Sequence, residues 1–197
     1  MGRHGVPCVD SIYFGGGTPS LLTPSQVARI LDRLCTRFPV ASDAEVTLEV
    51  NPGTVEPHDL GRYRAAGVNR LNIGLQSIHD RALAFLGRIH TARTGIDTFR
   101  RSREAGFDNV GLDLIYALPG QDLDRWESEL AEVVRLAPDH LSCYTLTIEP
   151  HTPMARQVQD GQIALPDEQT VGDLFSATSD FLNANGYRQY EVSNFAR

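Results

Sequence analysis

The chain has 197 residues, 41% of them hydrophobic, and 18 basic against 25 acidic side chains leave a net charge of −7. That length and apolar content suit one ordinary domain with a full core, while the acidic balance argues against a general nucleic-acid binder, whose affinity comes from neutralised phosphates. All 18 basic residues are Arg, so chemistry that needs an amine, such as a Schiff base or a P-loop lysine, is excluded.

Strand and helix patterns alternate along the chain. Residues 11–14 (SIYF) read as a short strand. Thr23-Pro24 then opens a helix, with Thr as N-cap and Pro at the first helical position, and Val27, Ile30, Leu31 and Leu34 follow at helical spacing. A second strand is predicted over 45–50 (EVTLEV), and a helix over 56–66 stops at Gly67. The third strand covers 70–76 (RLNIGLQ); helices follow over 80–86 and 91–105, with Gly106 as the stop. Residues 109–116 (NVGLDLIY) make the fourth strand, and a helix over 123–136 ends before Pro138. The fifth strand is 140–147 (HLSCYTLT), a polar stretch with Gly161 and Pro166 comes next, and a helix over 168–185 ends at Gly186. Residues 190–195 read as the start of one more strand. Repeated strand–helix units imply an α/β fold with a parallel sheet and outer helices. Five units and a beginning fall short of the ~250 residues of an eight-unit barrel. A smaller barrel, an open sheet and part of something larger all stay open.

Cys8, Cys35 and Cys143 are far apart and form no CxxC, so no self-contained zinc or iron–sulfur run is visible. Their sparse, odd count argues against a secreted disulfide scaffold. Cys35 on its helix and Cys143 in its strand read as small core residues. No apolar run approaches the ~20 residues of a membrane span, and the start lacks a signal-peptide core. The expected location is cytoplasmic.

Strand alternation sorts the faces. Val46, Leu48 and Val50 should meet the helices, which turns Glu49 inward near the end of its strand. By the same count Gln76 and Asp113 point inward, beside Gly74 and Gly111. A buried carboxylate must be paired or bind something, and Glu49 and Asp113 suit the hydroxyls of a ribose. The Gly15-Gly16-Gly17-Thr18-Pro19 turn lets backbone approach a ligand closely. It has neither the Walker nor the GxGxxG pattern, so it marks a ligand site or a plain tight turn. Arg88, after the third strand, is suited to a ligand carboxylate. His4, His58, His79, His90, His140 and His151 carry no distinguishing context.

YFGGGTPSLL, TLEVNPGT, LNIGLQSIHDRALAFLGRIH, VGLDLIYALPGQ, YTLTIEPHTP and YEVSNFA occur in this order. Together they resemble radical S-adenosylmethionine (SAM) proteins, and LQSIHD, IEPHTP and YEVSN resemble the HemW-type heme chaperones more than the oxygen-independent coproporphyrinogen III oxidases. The resemblance implies a (β/α)6 TIM-like barrel over 11–197, incomplete at both ends and lacking its first strand, with 1–10 as a non-matching segment. It implies SAM contacts from the backbone of Gly16, Gly17 and Thr18, from Glu49 and Asp113 on the nucleoside side, and from Gln76, from Arg88 near the methionine carboxylate, and from Thr147 at the end of the fifth strand. In the family a reduced [4Fe–4S]⁺ cluster on a CxxxCxxC loop would donate one electron to SAM, whose sulfonium then cleaves to methionine and a 5′-deoxyadenosyl radical. That loop should precede GGGTP, where only Cys8 stands, and the family's C-terminal domain should follow Phe195. The functional expectation is therefore the SAM-binding core of a heme chaperone. Heme or porphyrin and heme-acceptor proteins are the implied partners, with no nucleic acid and no membrane span. The alternatives are a coproporphyrinogen III oxidase, which decarboxylates propionate side chains oxidatively, and a SAM-pocket remnant without turnover. The chain alone is expected to lack redox activity.

Overall fold

The computed structural model describes residues 8–197. In chain order the elements are β1 (Val9–Phe14), a 3-10 turn (Pro19–Leu21), α1 (Pro24–Arg37), β2 (Val40–Val50), a 3-10 turn (Pro52–Thr54), α2 (Pro57–Ala65), β3 (Arg70–Gln76), α3 (Asp80–Phe85) and α4 (Ala92–Glu104), followed by β4 (Asn109–Tyr116), α5 (Leu123–Arg135), β5 (His140–Thr145), α6 (Pro153–Gln159), α7 (Glu168–Ala184), β6 (Arg188–Glu191) and β7 (Asn194–Ala196). They divide into two compact units: the residues up to Leu75 with Arg93–Gly111, and Gln76–Ala92 with Leu112–Arg197.

In the first unit β1, β2 and β3 are hydrogen-bonded neighbours and run parallel, with Phe14 opposite Leu48 and Val50 opposite Ile73. Val46, Leu48 and Val50 are buried as the alternation requires, and Thr47 on the other face is buried too. Cover on both faces is the usual condition of parallel strands. β2 begins at Val40, earlier than the predicted 45, because its first residues extend beside Val9. α1 opens with a full capping box, in which Gln26 N–H donates to the Thr23 hydroxyl and Thr23 N–H to the Gln26 side chain. Val27 and Leu31 face inward, whereas Ile30 is more than a third exposed. Cys35 is exposed, which corrects its reading as a core residue. It follows Leu31 by one turn, at the edge of the buried stripe.

In the second unit α5 packs on α7. Trp126 is fully buried there, its indole N–H donating to Thr178 Oγ1 at 2.7 Å and its ring 5.4 Å from that of Tyr116. The single strand expected to start at 190–195 is instead two strands of a hairpin. β6 and β7 are antiparallel, and β7 pairs antiparallel with β5, Leu141 opposite Phe195. The chain reverses because Glu191 Oε2 takes the Ser193 N–H at 3.2 Å and the Asn194 amide at 2.7 Å, closing a tight turn. α6 also goes unread in the sequence, as a seven-residue helix with one buried side chain shows no apolar period. β5 ends at Thr145, so Thr147 lies in the loop beyond and not at the strand end. Among the described residues no helix is long and apolar enough to cross a membrane.

Candidate functional site

In the first unit β1 delivers the chain into the glycine turn. Gly16 and Gly17 have φ of +81° and +61°, and nothing stands within 4 Å of a Cβ added at either. Left-handed backbone that opens on free space is available to approach by a ligand. Glu49, near the end of β2, reaches this turn. Its Oε2 accepts the Gly16 N–H at 3.2 Å and its Oε1 accepts the Tyr13 hydroxyl at 2.9 Å. A carboxylate has about four acceptor positions, so these two donors leave capacity for ligand hydroxyls.

The next residues brace the turn. Ser20 is buried; its hydroxyl accepts the Asn51 N–H at 3.0 Å and lies 2.7 Å from Thr54 Oγ1. The buried Tyr63 donates to Leu22 O at 2.6 Å. GGGTPSLL and TLEVNPGT thus interlock through side chains that neither motif's spacing reveals. Of the candidates here, Gly16 and Glu49 are joined directly, and Gly17 and Thr18 follow in the same turn. Sequence spacing alone does not mark Tyr13 or Ser20; the signal for Tyr13 is the alternation in SIYF, which leaves it 58% exposed between half-buried Ile12 and Phe14.

In the second unit Gln76 closes β3 with φ of +65°, a conformation uncommon for a residue with a side chain. The turn after it is pinned from α5. Glu129 is 2% exposed, and its Oε1 accepts the Ser77 hydroxyl at 2.6 Å and the Ile78 N–H at 2.8 Å. Burial raises the Glu129 carboxyl above the ordinary carboxylate range, and these hydrogen bonds partly offset it. Glu129 occupies a core position of its helix, in register with Trp126, Leu130 and Val133. A carboxylate inside an apolar stripe was the signal to read.

Arg88 and Asp113 lie within electrostatic reach of each other. Burial lowers the Arg88 pKa and the Asp113 charge raises it in return. The Arg88 Nε is buried without a hydrogen-bond partner among the described residues, and a half-buried guanidinium with an open donor suits a ligand carboxylate. Thr147 is exposed, its hydroxyl turned back to Thr145 O at 3.4 Å; the structure joins it to none of the other candidates. Within the first unit, the open backbone of Gly16 and Gly17 and the spare acceptor positions of Glu49 suit a ligand's amino group and hydroxyls; within the second, Arg88 suits a carboxylate.

The cysteines do not fit a [4Fe–4S] cluster. Cys8 and Cys35 are exposed and Cys143 is buried. Burial first, and then Asp113 and Glu129, push the Cys143 thiol far up, whereas clusters are held by thiolates. Among the described residues no group of three His, Cys, Asp or Glu is placed to hold a metal ion.

The chain is 41% identical to the Escherichia coli (strain K12) heme chaperone HemW, over 96% of this chain and 49% of that one. It is 42% identical to bovine mitochondrial radical S-adenosyl methionine domain-containing protein 1, over 98% and 44%. Among solved structures, coproporphyrinogen III oxidase (HemN) from E. coli, a radical SAM enzyme, superposes with a TM-score of 0.82 at 32% identity, covering 96% of this chain and 44% of that one. That likeness shows the fold to be the α/β radical SAM type with mostly parallel strands, related to the TIM barrel. The chain spans about half the length of these relatives or less. A profile of the radical SAM superfamily matches residues 2–133, most of the sequence, and the chain belongs to that superfamily.

Proposed function

We propose that the chain is the SAM-binding part of a HemW-like heme chaperone, a protein that takes up heme and passes it to acceptor proteins. The observation that carries this reading is the identity of 41% to a heme chaperone along 96% of the chain, joined to a glycine turn fastened to Glu49. In this reading the backbone of Gly16, Gly17 and Thr18 receives the methionine amino group of SAM. Glu49 and Asp113 accept from hydroxyls of its nucleoside, Gln76 adds an amide, Arg88 pairs with its carboxylate, and Thr147 stands at the margin. Bound SAM supplies a sulfonium open to reductive cleavage; the residues of this chain position it. Tyr13 fixes the Glu49 rotamer, and the Asp113 charge opposes the effect of burial on Arg88. Acceptor proteins and a cytoplasmic location belong to this proposal, and the bovine relative is a mitochondrial protein.

The test uses the intact parent protein. Hemin titration followed by transfer to an apo-acceptor should succeed, and coproporphyrinogen III should not be turned over. Robust turnover without heme transfer would replace the chaperone with the oxidase.

A further inference from the structure

We infer that the groove between α3 and the start of α5 seats an iron-porphyrin, with its propionates on Arg81 and Arg125 and its iron faced by the His79 imidazole. This rests on the heme-chaperone reading and adds a binding site to it. The groove has a volume of about 760 Å³, within the range of sites that bury a ligand of several rings. Phe85, Leu118 and Pro119 supply apolar wall, and His79, Arg81 and Arg125 supply polar groups. An apolar slot with two guanidiniums and one imidazole matches a flat, apolar macrocycle that bears two carboxylates and a metal. Guanidinium–carboxylate pairing is charge-assisted and bidentate, and imidazole is a common axial ligand of heme iron.

The acidic wall residues do not cancel this match. The Glu129 carboxylate is turned to Ser77 and Ile78, and Asp124 is exposed. Arg125 holds Gly120 O at 3.0 Å and stands 3.6 Å from Asp122. These are surface contacts of little strength, so the guanidinium can turn to a propionate. Residues that are themselves held place His79: its N–H donates to Ser77 Oγ at 3.1 Å, and Ser77 is tied to Glu129. A ligand mounted on a braced turn is pre-organised.

The other histidines lack this setting. His90 and His140 are buried, and His140 is 2.8 Å from the Tyr190 hydroxyl. His58 is exposed beside Asp59, and His151 is exposed away from the groove. His4 lies outside the described residues. A second cavity, of about 440 Å³ beside Tyr116 and Phe175, is lined by neither His nor Arg.

The experiment titrates hemin into the 197-residue chain carrying Cys8→Ser and Cys35→Ser, so that exposed thiols do not capture iron. A saturable Soret shift at one heme per chain is expected. His79→Ala should alter the Soret position and weaken binding about 10-fold, and Arg81→Gln with Arg125→Gln should weaken it about 10-fold with the Soret position kept. Metal-free protoporphyrin should bind with and without His79 equally well. An unaltered spectrum and affinity in His79→Ala overturns the site and leaves the chaperone reading standing if the parent binds heme. Hemin binding by the intact protein but not by this chain also overturns the site alone. Binding by neither overturns both.

Discussion

The Gly16 N–H donates to Glu49 Oε2 at 3.2 Å, so one carboxylate at the end of β2 fixes the glycine turn after β1. Tyr13 holds the other oxygen of that carboxylate at 2.9 Å. Both bonds are solvent-exposed, and their net worth to folding is about 0.5–1.5 kcal/mol each. Their value in the proposed site is orientation. Glu49→Ala in the intact protein should therefore raise the Kd for SAM about 10-fold while the fold survives. Calorimetric titration with SAM, beside a thermal melt, measures both. A folded variant with undiminished SAM affinity removes Glu49 from the site.

Glu129 carries a pH signature. Burial raises its carboxyl and Glu132 adds to that, against the lowering contributions of Ser77, Ile78 and His79. A carboxyl with a folded pKa above its unfolded one binds more protons when folded. Its contribution to stability is full below the ordinary carboxylate value and is lost as pH rises through the folded value. Glu129→Gln keeps an oxygen acceptor for Ser77 and Ile78 and does not titrate. Relative to that variant, the unsubstituted chain should lose stability as pH is raised from about 4 to about 8. Urea unfolding at a series of pH values reads the difference; one that is flat across the range contradicts the raised pKa.

The contact between α5 and α7 turns on one buried donor. Trp126 Nε1–H gives its hydrogen to Thr178 Oγ1 at 2.7 Å, and that hydroxyl donates in turn to Leu174 O at 2.6 Å. Thr178→Val keeps the shape and leaves the indole N–H unpaired in a dry interior, at a cost of about 1–3 kcal/mol. Thr178→Ser keeps the hydroxyl and should recover most of that loss. Equilibrium denaturation of the pair decides: equal stability of the Val and Ser variants would show that the indole finds another acceptor.

Local signals in the sequence carried much of this fold. β3 and β4 fall on 70–76 and 109–116 as predicted, because alternating apolar runs there end in unambiguous breaks. Thr23-Pro24 opens α1 as its capping chemistry demands. The hairpin of β6 and β7 was hidden because YEVSNF has no Gly or Pro to mark its turn; the reach of Glu191 back to Ser193 and Asn194 reverses the chain. In the candidate site strand ends and inward faces singled out the glycine turn and Glu49, but not the bond between them. The roles of Ser20 and Glu129 were not legible either, since each depends on a partner 31 to 52 residues away in sequence. Local periodicity reports which face a residue occupies and is silent about which distant group meets it there.

Gly15 offers a test of how tightly the glycine turn and its carboxylate are coupled. A Cβ added at Gly15 would lie 2.6 Å from Tyr13 Cε1 and 3.1 Å from Glu49 Oε1, so the clash is with side chains. The Tyr13 ring is 58% exposed and has room to swing outward, which gives up its hydrogen bond to Glu49. Gly15→Ala should then act on SAM affinity as Tyr13→Phe does, by freeing the Glu49 rotamer. Residues that act through one shared group are non-additive. The double variant should bind SAM no more weakly than the worse single one, in a four-member binding cycle on the intact protein. Losses that simply add would show that Gly15 serves the turn independently of Tyr13.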